Sequence, residues 1–212
     1  MNVVLSTPGR FHTFDLARQL HQRGLLGAVF SGFPWFKLQR ESLPRAKVHT
    51  WPWMQTPYMA VGARVPGGLR REWEWWAQRA LDAHVARRLP DCDVLVALSG
   101  GGLQSGRRAQ AGGGVYVCDR GSAHIRVQDQ LMRAEADRWG LPFEGIDPRV
   151  IDQEEQEYAQ ADAITVPSTF SRQSFVAQGV PAARVHLLPY GVDVTRFQPD
   201  GEAYAQGFDV LY

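Results

Sequence analysis

Cysteine is scarce: Cys92 and Cys118 are the only two, and they lie far apart. Two such thiols make neither a disulfide framework nor a thiolate zinc cluster, so both read as small buried apolar residues. Long apolar runs are missing too, and no stretch approaches the ~20 consecutive apolar residues of a membrane span. The opening residues Met1-Asn2-Val3-Val4-Leu5-Ser6 carry no basic stretch and run straight into a strand pattern. A signal peptide is therefore not expected, and the expected location is the cytoplasm. There is no internal repeat and no low-complexity segment. There is also no GxGxxG and no Walker loop: the glycine clusters Gly100 to Gly102 and Gly112 to Gly114 have the wrong spacing. With no acidic residue placed for a ribose either, a nucleotide-dependent oxidoreductase is disfavoured.

What is present is the composition of an ordinary α/β protein, with 44% hydrophobic and 21% charged residues and 21 glycines in 212 residues. That length suffices to bury a sizeable core. The net charge of +1 hides an uneven spread. Through residue 110 there are 15 Lys+Arg against 7 Asp+Glu, or +8, and from 111 onward 8 against 15, or −7. A basic half can attract phosphates or an anionic membrane surface, or it can simply be Arg solvated on helix faces.

Short apolar runs alternate with amphipathic stretches of helical length, the pattern of βα units around a parallel sheet. Strands are expected at Val3 to Leu5, Leu25 to Phe30, Val94 to Leu98, Val115 to Cys118, Ala163 to Val166 and Val185 to Leu188. Helices are expected at Thr13 to Arg23, Leu69 to Arg88, Leu103 to Ala111, Arg126 to Trp139, Pro148 to Gln160 and Phe170 to Gln178. Gly24 stops the first of them. From Phe33 to Gly68, five prolines forbid a long helix. Here Trp35, Trp51, Trp53, Tyr58 and Met59 sit among Arg and Lys, and Trp73, Trp75 and Trp76 follow. Such a mix can mark a membrane-interface surface. The large area that aromatics bury favours packing instead, with Trp73 and Trp76 facing the core.

Open α/β sheets bind ligands at the carboxyl ends of their strands, so the following loops are the places to look. The first runs Ser6-Thr7-Pro8-Gly9-Arg10-Phe11-His12 into a helix, whose N-terminal amides favour phosphate while Gly9 permits close backbone approach. The loop Asp119-Arg120-Gly121-Ser122-Ala123-His124 is richer in chemistry. An acid, a guanidinium, a hydroxyl and an imidazole can together position sugar hydroxyls, neutralise a phosphate or move a proton. Ser122 can equally cap the next helix. Asp152, Glu154, Glu155 and Glu157 read as a solvated helix face.

The C-terminal portion carries a family pattern. Glu154-x-x-Glu157-Tyr158-x-x-Ala161-Asp162-Ala163-Ile164-Thr165-Val166-Pro167-Ser168-x-Phe170 is followed by Phe175 and Gly179-Val180-Pro181. Then come Val185-x-Leu187-Leu188-Pro189-Tyr190-Gly191-Val192-Asp193, Phe197 and Pro199. In order and spacing these pieces resemble the segment before the interdomain crossover of family 4 glycosyltransferases. Leu16-Ala17-Arg18-x-Leu20-x-x-x-Gly24 agrees with the same family, whereas residues 31–93 match nothing in it.

The resemblance implies the N-terminal domain of a GT-B fold, α/β with a Rossmann-like doubly wound parallel sheet. Residues 1–190 would be the acceptor-side domain and 191–207 the interdomain linker, with 208–212 beginning a truncated donor-binding domain. The implied reaction moves a sugar, with retention, from a nucleotide diphosphate sugar to a hydroxyl of a saccharide or lipid-linked acceptor. It has no obligatory metal and no other cofactor. Asp119 and His124 are the catalytic candidates; Gly9, Arg10, His12, Arg120 and Ser122 are the candidates for donor or acceptor binding. Many members carry a His shortly after the strand where this chain has Asp119 and Arg120. A peripheral membrane contact is a further expectation, and a nucleic-acid partner is not expected. The rival reading is a nonenzymatic module that holds a saccharide or a partner on the same fold. The donor-gripping residues of the family lie in its second domain, so these 212 residues alone are expected to give no transferase turnover. Release of nucleoside diphosphate from a panel of nucleotide sugars checks this, and measurable turnover overturns it.

Overall fold

The structure, a computed structural model, describes residues 1–61 and 64–192. Its seven strands are β1 (Val3–Thr7), β2 (Leu26–Ser31), β3 (Val48–Thr50), β4 (Val94–Leu98), β5 (Val115–Asp119), β6 (Ala163–Val166) and β7 (Val185–Leu187). They form one all-parallel sheet in the order β3-β2-β1-β4-β5-β6-β7. The chain winds outward from β1 to β3, crosses back, and winds the other way from β4 to β7. The sheet is thus Rossmann-like and doubly wound, with its switch point between β1 and β4. The connecting helices are α1 (Thr13–Gln22), α2 (Trp35–Leu38), α3 (Gln55–Val61), α4 (Gly67–Arg88), α5 (Leu103–Ala111), α6 (Ile125–Trp139), α7 (Pro148–Gln160) and α8 (Thr169–Ala177).

The core lies in two layers. On one face α4, α5, α7 and α8 press Leu81, Val85, Ala109, Tyr158 and Phe175 against Val4, Leu95, Tyr116 and Ile164. On the other, Phe14 and Ala17 of α1, with Leu38 and Leu43, cover Val3, Leu5, Val29 and Val48. All five residues of β1 are buried, as in a strand covered on both sides. In β4 buried and half-buried positions alternate, because only one of its faces is fully covered.

Most expected elements form within a residue or two of their expected ends, the range over which helix and strand ends fray. Local chemistry explains several stops. Gly24 takes φ +69° and closes α1, with Leu25 donating to the Leu20 carbonyl at 2.9 Å. Asp147 accepts from the Arg149 amide at 2.9 Å and, with Pro148 at the first turn, starts α7.

The Pro-rich stretch holds β3, α2 and α3, each too short to show a period. Two readings need correction. Packing holds for Trp51, which lies against the core and stacks on His84 at 5.4 Å. It fails for Trp53 and Trp76, which are 74% and 56% exposed. The acidic run is not a solvated face either. Glu154 and Glu157, one turn apart on α7, are both buried, while Asp152 and Glu155 stay outside. The expected linker from residue 193 onward and the expected strand at 208–212 lie outside the described residues. Among the described residues no helix is long and apolar enough to cross a membrane.

Glu157 is fully buried and accepts from the amides of Gly100 (2.7 Å) and Gly102 (3.1 Å) and from Gln153 Nε2 (3.3 Å). Gly100 presents its amide from a φ of +87°, a conformation that favours glycine. Burial pushes the Glu157 carboxyl up to about 8, against the pull of those amides. The native protein then keeps a proton that the unfolded chain loses near the ordinary glutamate value of 4.5. Stability is consequently greatest at or below that value and falls as pH rises toward about 8. Urea melts across this range are expected to show that decline. Glu157→Gln, which has no proton to lose, is expected to flatten it. Its NH2 also faces glycine N–H groups and lowers stability at pH ~5 by about 1–3 kcal/mol. An unchanged slope in the variant overturns the assignment.

Candidate functional site

The loops after β1, β5 and β7 meet at the carboxyl edge of the sheet. Asp119 ends β5 and is in register with Thr165 of β6. The Thr165 hydroxyl donates to Asp119 Oδ1 at 2.8 Å. The other carboxylate oxygen, Oδ2, lies 2.6 Å from Nε2 of His12, the residue immediately before α1. An ionised carboxylate only accepts, so Nε2 carries the hydrogen and Nδ1 is left as the neutral ring's acceptor. Neither side chain is sealed off: His12 is 24% exposed and Asp119 13%. The Tyr190 ring lies over the His12 imidazole, with centroids 4.4 Å apart. Gly121 makes room for it, since a Cβ there would come within 2.7 Å of the Tyr190 hydroxyl. Burial, and then the Asp119 charge, raise the Tyr190 phenol, which stays protonated near neutral pH.

The other residues singled out in the sequence are not brought to this pair. Arg120 follows Asp119 but turns into the protein and is 8% exposed. Its guanidinium pairs with Glu154 at 2.7 Å and bonds Ser99 Oγ (3.1 Å), Gln128 Oε1 (2.5 Å) and the Ala123 carbonyl (3.0 Å). With its donors so engaged, Arg120 braces the loop. His124 is 3% exposed and caps α6, its Nδ1 accepting from the Arg126 amide at 3.3 Å. Its amide donates to Ser174 Oγ at 2.8 Å, and its ring packs against Tyr158 and Phe175. Burial lowers its pKa to about 4, with the Glu155 charge opposing that shift, so the ring is neutral near pH 7. Arg10 is exposed and pairs with the buried Glu41, which also holds Arg18 at 2.7 Å. Gly9 is buried, and its carbonyl accepts from Ser31 Oγ at 3.3 Å. Ser122 is half-buried, and the cap of α6 is His124 instead.

Three features escape a reading of the sequence. Thr165 and Tyr190 stand inside the family pattern but carry no chemical signal of their own. The β1–α1 loop is flanked by two buried hydroxyls without partners among the described residues, Thr7 Oγ1 and Thr13 Oγ1, and α1 has no side-chain cap at His12. Unbonded hydroxyls beside an uncapped helix start can receive an anionic or polyhydroxyl ligand. By contrast, the Gly100–Gly102 loop has its amides taken by Glu157 and is a structural turn. A polar cavity of about 420 Å3 opens between α4, α5 and α7, lined by Arg79, Gln104, Arg107 and Gln153 among others. None of the residues just described lines it, so the hydrogen-bonded cluster is the better candidate site. Among the described residues no group of three or more His, Cys, Asp or Glu could hold a metal ion.

The family model Glycosyltransferase Family 4 matches residues 10–196. No curated protein matches the chain. Several solved structures share its fold. Anabaena Alr3699/HepE, in complex with UDP and glucose, matches 95% of this chain and 47% of its own at TM-score 0.56 and 12% identity. A UDP-N-acetylglucosamine 2-epimerase matches at TM-score 0.54 and 10% identity, over 88% of this chain and 47% of its own. S. aureus MnaA, solved with UDP, matches at TM-score 0.51 and 12% identity, over 94% and 49%. The chain therefore spans about half the length of the structures it matches.

The two histidines are expected to separate by experiment. His124→Ala removes a ring packed in the core and is expected to cost about 2–4 kcal/mol of stability. His12→Ala, at the edge, is expected to cost under about 1 kcal/mol. Urea melts of both variants check this, and equal losses overturn it.

Proposed function

The chain belongs to the family 4 glycosyltransferases, and from that membership we propose that it is the acceptor-side half of a retaining enzyme. The enzyme moves a sugar from a nucleotide diphosphate sugar to an acceptor hydroxyl. The observation that carries the reading is the His12–Asp119 pair at the carboxyl edge of the sheet, beside the switch point. The UDP complexes of structures with this fold support a nucleoside diphosphate sugar as donor. Residues 1–190 form the acceptor-side domain, 191–207 lead across, and 208–212 begin the donor-side domain. The last described strand ends at Leu187, ahead of that crossing.

Each residue then has a physical task. The β1–α1 loop, with Gly9, Thr7 and the uncapped start of α1, faces the donor diphosphate. Asp119 fixes the His12 tautomer through Nε2, and Thr165 fixes Asp119. The His12 Nδ1 lone pair is then ready to accept from a hydroxyl of the sugar or the acceptor. Retention requires no protein nucleophile in this scheme. The leaving diphosphate helps deprotonate the incoming hydroxyl on the same face, while the protein orients groups and stabilises charge. His124 and Arg120 act on the site only by holding the loop.

Transfer and donor hydrolysis, measured with the longest reading frame containing this sequence against a panel of nucleotide sugars, test the reading. His12→Ala and Asp119→Asn are each expected to lower kcat by about 10²-fold or more. His124→Ala is expected to lose activity only in step with its folded fraction. Because the fold also occurs in an epimerase, donor-only products are measured in the same reactions. Donor conversion without acceptor transfer, or saccharide binding without turnover, overturns the proposal. The second outcome favours a nonenzymatic binding module.

A further inference from the structure

The long helix α4 outruns the sheet it serves. Its 22 residues span ~33 Å, whereas a five-residue strand such as β4 spans ~17 Å. Asp82 marks where the sheet edge falls along it. That carboxylate accepts from the amides of Gln104 (2.7 Å) and Ser105 (2.9 Å), at the start of the helix that leaves the carboxyl end of β4. From Asp82 back to Gly67 the helix runs on the order of 20 Å further. Of its buried residues, Leu81, Asp82 and Val85 lie in its second half and Ala77 lies at its midpoint. The first half packs with α3, which itself has no buried residue. Tyr58 of α3 meets Trp73 edge-on at 6.2 Å and donates to Glu74 at 3.2 Å. Arg149–Glu72 (2.6 Å) and Arg71–Glu144 (3.0 Å) tie the pair to the first turn of α7 and to the loop before it.

This hairpin is apolar and cationic on its outside. Leu69, Trp73 and Trp76 are spaced four and three apart, which puts them on one stripe of α4. Leu69 is 64% exposed, and Trp76 on α4, Met59 on α3 and Trp53, two residues before α3, are exposed as well. Arg64 and Arg70 are exposed and have no acidic partner among the described residues. The two acids of the hairpin are engaged, Glu72 with Arg149 and Glu74 with Tyr58. A projecting knob of indole and aliphatic side chains with unpaired arginines complements a surface that is apolar beneath and anionic on top.

We propose that the α3–α4 hairpin docks the protein onto an anionic lipid bilayer, with Trp53, Met59, Leu69 and Trp76 in the interfacial layer and Arg64 and Arg70 on the headgroups. The hairpin projects beyond the same carboxyl edge that carries His12 and Asp119, so docking would turn that edge toward the membrane. The inference rests on the shape and charge of the hairpin and not on the transfer reaction.

Flotation of the chain with phosphatidylcholine vesicles, with and without phosphatidylglycerol, tests it. Binding is expected only with phosphatidylglycerol and is expected to weaken as salt rises. Trp53→Ala with Trp76→Ala, and separately Arg64→Glu with Arg70→Glu, are each expected to weaken it by about tenfold or more. Trp139→Ala removes another exposed indole far along the chain and is expected to change nothing. These side chains are exposed, and thermal melts matching the parent exclude misfolding as the cause. Absence of binding to the anionic vesicles overturns the proposal. So does binding that the hairpin variants leave unchanged. Self-association through the same tryptophans, without vesicle binding, overturns it in favour of a protein interface.

Discussion

Two glutamates one helical turn apart hold both loops that follow the central strands β4 and β5. Glu157 fills the glycine loop after β4 with its carboxyl group, and Glu154 takes the Arg120 guanidinium from the loop after β5. Both acids leave α7 on its buried face, so the helix is a bar to which the floor of the crevice is tied. A buried charge is tolerated only when its partners are in place. Arg120 shows this condition met, with Ser99, Gln128 and the Ala123 carbonyl accepting from it besides Glu154. Losing Glu154 would leave the Arg120 charge buried without a counter-ion, so this network constrains where the loop after β5 can go.

That arrangement gives Asp119 its freedom. Successive residues at a strand end point to opposite faces. Cys118 is buried toward α7, Asp119 points to the α1 side, and Arg120 returns to the α7 side. The acid can therefore turn to His12 while the neighbouring cation is held away by Glu154. Had Arg120 faced the crevice, it would have paired with Asp119 and left His12 without an orienting group. The crevice keeps a carboxylate–imidazole pair because the adjacent guanidinium is committed elsewhere.

The strands and most helices were legible because their signals are local. Alternating burial, helical spacing and a glycine stop such as Gly24 are all contained in a dozen residues. The parallel, doubly wound sheet was legible from the βα alternation together with the family pattern after Glu154, whereas the strand order is read from the structure. The site was legible only in part. The two loops could be singled out by their position after strands, but the pairing of His12 with Asp119 joins residues 107 apart in the chain. No spacing rule reaches that far. His124 looked like the better imidazole because it shares a six-residue loop with Asp119. Its ring was claimed by Tyr158 and Phe175, contacts that depend on how α7 and α8 pack. The buried glutamates were misread for the same reason: their amide and guanidinium partners lie in other loops, and in isolation an acidic run reads as solvated.

Tyr190 extends this logic to the edge of the described chain. Its ring covers His12 two residues after Leu188, whose amide is the last to bond the sheet, through the Val166 carbonyl at 2.8 Å. Past that bond the backbone has left the ladder, so the position of Tyr190 is set by its stacking on His12 and by the space above Gly121. A ring pair of this kind contributes about 0.5–1.5 kcal/mol beyond the area it buries, small enough for a ligand contacting the imidazole to compete with it.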